Sequence, residues 1–172
     1  MPYPKSPEPS GPVFTAPFAA VSIGTTGVYD LYCVTAPSNS RLAIREVRLG
    51  QFTDFADLQS EILSLTLMIG TTSLSSGGAA ITPQNVRTHS GAPTAGSSVT
   101  GPSTTLASTT SAAVRLADTW NIMAGWYYRP ELDERIIINP GERFVLRQTG
   151  VTDAFTMNGT LVIQEIGAPA ST

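Results

Sequence analysis

The sequence predicts an all-β protein: a jelly-roll-like antiparallel β-sandwich with an extended, proline-rich arm at its N-terminus. Three observations predict it. Residues 120–167 read as consecutive strands with no helical period between them, and Leu63, Leu65, Leu67 and Ile69 alternate with Ser64, Thr66 and Met68, the period of a half-buried strand. The first twelve residues hold five prolines, which exclude helix and favour a polyproline-like path. The expected organisation is therefore an arm over residues 1–12 and one sandwich domain over residues 13–172.

Taken in order, the first strand is expected over residues 16–23 and the second over 28–36, which is rich in β-branched and aromatic residues and stopped by the turn cluster Pro37-Ser38-Asn39-Ser40. Residues 41–49 follow, with Leu42 and Ile44 on one parity and Val47 and Leu49 on the other. A slip of one residue at Arg45-Glu46 is what a β-bulge repairs. Residues 51–60 read as a loop with one helical turn, before the alternating strand at 63–69. Residues 70–113 are dominated by Ser, Thr, Gly and Ala, without a formal charge between Arg87 and Arg115. Such a tract orders little on its own, so long surface loops with short strands near Ile81 and Val99 are expected, suited to packing against a neighbour.

Strands at 114–117, 119–129, 135–138, 142–149 and 156–166 bring the total to roughly eight, as a two-sheet jelly roll requires. An immunoglobulin-like sandwich is the alternative, but its Cys pair around a central Trp is missing. Within this stretch Asn139-Pro140-Gly141-Glu142 reads as the turn of a hairpin, because Pro presets the first corner and Gly supplies the positive φ of the second. Trp120, Ile122, Ala124, Trp126 and Tyr128 share one parity and read as a core stripe, which turns Tyr127 outward toward a partner. Asn158-Gly159 reads as a turn or bulge.

Chemistry is scarce. Cys33 is the only cysteine, set as a small buried hydrophobe, and His89 the only histidine, in a neutral loop with no carboxylate beside it. A metal-binding cupin would need several histidines. The acidic groups Asp54/Asp57/Glu61 and Glu131/Asp133/Glu134 lack a calcium-loop pattern, and Arg129 and Arg135 flank the second group as partners for solvated ion pairs. No enzyme activity, metal or cofactor is expected. With 13% charged residues and a net charge of −3, nucleic acid is not an expected partner. A membrane span is not expected either, since no run of eighteen apolar residues exists. The candidate partner contacts are Tyr3, Pro4, Pro7, Pro9 and Pro12 of the arm, which loses little entropy on docking, and Tyr127.

Trp120 to Pro130, Glu134-Arg135-Ile136, Pro140-Gly141-Glu142-Arg143-Phe144-Val145-Leu146-Arg147 and the acidic strand Phe155 to Ile166 resemble, in order and spacing, a recurrent pattern among small structural proteins of tailed bacteriophages. The resemblance covers the C-terminal third. It implies a virion location on the capsid surface, a decoration (cement) role that stabilises the head, the major capsid protein as partner, and a homotrimer at local threefold positions. A receptor-binding, tail-fibre or minor tail module of the same fold is the rival reading.

Overall fold

The computed structural model describes residues 10–25, 27–53, 62–87, 92–149 and 154–167. Among these residues lie twelve strands: β1 (Val13–Ile23), β2 (Val28–Thr35), β3 (Arg41–Thr53), β4 (Ile62–Ile69), β5 (Ala79–Ile81), β6 (Gln84–Asn85), β7 (Ser98–Gly101), β8 (Ala113–Asn121), β9 (Trp126–Tyr128), β10 (Ile137–Ile138), β11 (Arg143–Thr149) and β12 (Phe155–Ile166). One sheet runs β10-β3-β12-β1-β6, with β9 also on β3; the other runs β5-β7-β2-β11-β4-β8. Every strand pair is antiparallel.

The pairing order is that of a jelly roll. β1 pairs with β12, β2 with β11, β3 with β9 and β10, and β4 with β8, so each pair nests inside the one before it. The nested ribbon coils so that alternate pairs fall in opposite sheets, burying one face of each against the other. Counting β9 and β10 together as the partner of β3, the nested strands fill eight places, the expected number, and β5, β6 and β7 are additions from the long loop tract.

Alternation explains the core. Phe14, Ala16 and Phe18 of β1, Leu63, Leu65 and Leu67 of β4, and Met157, Leu161 and Ile163 of β12 all point between the sheets. The predicted bulge in β3 is present: Glu46 faces Val162 and Ile44 faces Ile163, leaving Arg45 as the extra residue. Tyr32 of β2 crosses the core and its hydroxyl donates to the Ala16 carbonyl of β1 at 3.0 Å; burial pushes its phenol well above the usual range. Burying a ring of this size is favourable only because that hydroxyl has an acceptor.

β2 is buried on both faces because part of the long loop packs on the outer side of its sheet. Cys33, Met68, Val145 and Ala107 form a second, smaller cluster there. Asp30 holds this strap: its Oδ1 accepts from Arg147 Nε at 2.7 Å, and its Oδ2 accepts from Arg147 Nη2 at 3.2 Å and from the Ala107 N–H at 2.7 Å. A second buried acid, Glu165 of β12, accepts from the N–H groups of Gly96 and Ser97, both at 2.9 Å. The neutral tract therefore does not order itself. Two carboxylates on the sandwich order it, each taking backbone donors that would otherwise be stranded.

Three local expectations are corrected. At 139–142 the turn forms, with the Glu142 N–H donating to the Asn139 carbonyl at 3.0 Å and Gly141 at φ 71°. The hairpin does not, because β10 joins β3 while β11 lies between β2 and β4 in the other sheet. The segment from Trp120 to Tyr128 is not one strand either. Asn121 reverses the chain, its carbonyl accepting from Ala124 N–H at 3.0 Å and its side chain from Met123 N–H at 2.9 Å, with Gly125 at φ 69°. Finally, Asn158 and Gly159 sit in the middle of β12. The bulge lies opposite, in β1 between Phe18 and Val21, where Ala20 adopts φ 52° and its N–H donates to Asn158 Oδ1 at 2.7 Å.

Candidate interaction surface

The outer face of the β3/β12/β1 sheet carries the candidate site. Here Arg48 stands opposite Tyr127 of β9 and opposite Thr160 of β12, and Glu46 opposite Val162, which in turn faces Thr15 of β1. Tyr127 is 55% exposed while Trp126 beside it is buried, the outward placement the alternation predicted. Trp126 and Tyr128 stack at 6.0 Å with ring planes 6° apart, and Trp126 Nε1 donates to Asp118 Oδ2 at 2.9 Å. The strand is thus fixed from its inner side, and Tyr127 is presented from a rigid base.

Next to Tyr127 lies an open cleft of about 330 Å³ lined by Val13, Arg45, Glu46, Val86, Arg87, Arg129, Arg135 and Val162. Different elements deliver the arginines. The β3 bulge turns Arg45 to the outside; the Val86 N–H donates to the Val13 carbonyl at 3.0 Å, which brings Arg87 to the same wall; and Arg129 and Arg135 flank the single 3-10 turn Leu132–Glu134. Among the described residues Glu46 is the one acid in the lining, and Arg48 Nε holds it at 2.6 Å. Arg129 is raised above its usual pKa, chiefly by its hydrogen bond with Tyr127 and further by the nearby Glu46 and Glu131 carboxylates.

The root of the arm reaches this face. The Glu165 N–H donates to the Pro12 carbonyl at 3.1 Å, and Gln164 Nε2 to the Gly11 carbonyl at 3.4 Å, so the chain before Val13 is already fastened along β12. A side chain at Gly11 would run into the Glu165 carbonyl, which is why glycine stands there. Of the predicted partner contacts, Pro12 directly precedes Val13 of the cleft lining, and Tyr127 is hydrogen-bonded to Arg129 of the lining. Tyr3, Pro4, Pro7 and Pro9 lie outside the described residues, as do His89, Asp54, Asp57 and Glu61. Glu131, Asp133 and Glu134 are all exposed, and no cluster of His, Cys, Asp or Glu among the described residues could hold a metal ion. No described helix is long and apolar enough to cross a membrane.

The arginine cleft was missed in the sequence. Its members come from separate stretches of the chain; the parity slip marked Arg45-Glu46 and the acidic turn marked Arg129 and Arg135, but nothing local joined them to one another or to Arg87.

No protein-family model matches the chain, and neither does any curated protein. Among solved structures, a chain from the structure of maize chlorotic mottle virus is similar at 14% identity and TM-score 0.30, covering 94% of this chain and 97% of that one. A chain from cocksfoot mottle virus is similar at 10% identity and TM-score 0.27, covering 92% and 95%. One from infectious bursal disease virus, Gt strain, is similar at 13% identity and TM-score 0.22, covering 94% of this chain and 43% of that one.

Proposed function

We propose that this protein is a bacteriophage virion structural protein that decorates and cements the capsid from its outer surface, with the major capsid protein as partner and a homotrimer as its own assembly state. The reading joins the sequence resemblance to one structural observation: of the partner contacts read from the sequence, Pro12 directly precedes Val13 and Tyr127 is hydrogen-bonded to Arg129, and Val13 and Arg129 line the same cleft. An interface of this kind suits arginine and tyrosine, which give contact area and directed hydrogen bonds at once. The mechanism is mechanical. Each copy bridges neighbouring shell subunits weakly, and many copies together resist internal pressure through multivalency.

The arm gives the test. Five prolines in twelve residues favour an extended path of about 3.1 Å per residue, which would suit the arm to lie across a neighbouring subunit with little entropy left to lose. Particles lacking the protein are incubated with full-length chain or with a chain lacking residues 1–9, which keeps the Pro12 hook on β12, and occupancy is measured after sedimentation. Full-length protein is expected to fill the particles, and the truncated chain, with a nearly unchanged melting temperature, to fill them poorly at the same concentration. Equal occupancy would remove the arm from the mechanism; failure of the full-length chain to bind would remove the function.

A further inference from the structure

We propose that β8 is a self-pairing edge, which joins the β5-β7-β2-β11-β4-β8 sheets of two copies of this chain antiparallel about a two-fold axis at Ala117. β8 ends that sheet, and no described strand continues it. An open edge presents a row of backbone donors and acceptors to any strand that approaches, and folds ordinarily blunt it. The other edges are blunted here. β5 and β9 have three residues each and β6 and β10 two, while the stretch of β1 beyond its pairing with β6 carries Pro17, which has no N–H, and the bulge with Ala20 at φ 52°. β8 is the exception. It runs for nine residues without Pro or Gly, most of them exposed, and Val114 is an apolar residue 57% open to solvent. Its bulge, with Arg115 as the extra residue, lies near one end and leaves Leu116 to Asn121 in regular register.

The chemistry of β8 selects a copy of itself. Its two charged residues, Arg115 and Asp118, are opposite in sign and both exposed. Full overlap of two reversed strands centres on Ala117, the midpoint of Ala113–Asn121, and sets Leu116 of each copy opposite Asp118 of the other with Arg115 one position further on. Each arginine then stands beside a carboxylate of the second copy, and no like charges oppose one another. Asp118 already accepts from Trp126 Nε1 at 2.9 Å and from the Thr119 N–H at 2.7 Å, but a carboxylate offers about four acceptor positions and can take a guanidinium as well. The N-terminal arm is a poor occupant of the same edge: Pro2 and Pro4 fall on one parity and Pro7 and Pro9 on the other, so an added strand lacks two donors whichever side it turns. A two-fold pair also closes on itself, because neither β8 keeps a free edge for a third copy. The contact does not rest on the virion role; within the threefold assembly proposed above it links copies of different trimers.

The test is a position-specific disulfide in the full chain. Cys33 is the only native cysteine and is buried, so it does not compete. In the overlapped pair Ala117 faces Ala117 of the second copy at a Cα separation of about 5 Å, within the span of a disulfide. Ala113, on the same strand, lies about 27 Å from its own counterpart. Both alanines are exposed, so cysteine at either leaves the core untouched. Under mild oxidation Ala117→Cys is expected to give the covalently linked pair and Ala113→Cys at least about tenfold less of it. Adding Arg115→Glu to Ala117→Cys places like charges together and is expected to lower the yield about fivefold. No link at Ala117, equal linking at Ala113, or a yield that ignores Arg115→Glu would each overturn the proposal. A link that forms only after residues 1–9 are deleted would overturn it as well, by giving the edge to the arm. Occupancy of particles enters none of these outcomes, so the virion role stands or falls separately.

Discussion

Replacing Asp30 with Ala is expected to destabilise the protein by about 3–5 kcal/mol, the cost of removing one partner from a buried ion pair. Asp30 is completely buried, and the Arg147 side chain is only 15% exposed. The substitution strands the guanidinium, which keeps only the Ala107 carbonyl at 2.8 Å, and leaves the Ala107 N–H without its acceptor. It also lifts the strap that covers Cys33, Met68 and Val145. For a chain of this length a loss of that size lowers the melting temperature by roughly 10 °C. Limited proteolysis distinguishes a local from a global effect. New cleavage at residues 102–112, well below the melting temperature, is the expected pattern. A variant with wild-type melting and no new cleavage would show that Asp30 does not hold the strap.

Replacing Gly159 with Val is expected to cost about 1–3 kcal/mol through overpacking. Two effects oppose each other. Valine is the better strand residue, an advantage of at most about 1 kcal/mol. Against it, a Cβ at this position would overlap the Phe18 ring, which packs at 5.2 Å from Tyr32 in the core and has no free space to enter. The collision outweighs the propensity. A double-mutant cycle isolates the cause, because Gly159→Val should cost much less in a Phe18→Ala background, where the ring is gone. Denaturant melts that give additive costs would contradict this account of the glycine.

Much of the fold was legible because its signals are local. The parity slip at Arg45-Glu46 located a bulge in β3, and the alternation from Leu63 to Ile69 located β4. The misread places share one cause: local chemistry specifies a turn but not which sheet receives the chain after it. Asn139 to Glu142 forms the turn its residues demand and still connects two sheets, since pairing with β3 or with β2 is decided by side chains far away in sequence. Between Trp120 and Trp126 the turn preserves parity, so the buried stripe read as one strand although the chain reverses at Asn121. The site was less legible than the fold. Tyr127 announced itself by alternation, but Arg45, Arg87, Arg129 and Arg135 meet only because the nested pairing brings β1, β3 and the 129–135 segment to one face.

The proposed role, a jelly roll that coats a capsid in many copies, is tested most directly by the number of copies per particle. Quantitative mass spectrometry of purified virions, referenced to the major capsid protein, gives that number. A decoration protein follows the symmetry of the shell and is predicted at on the order of hundreds of copies per particle. About a dozen copies or fewer would contradict the account and assign the protein to the tail.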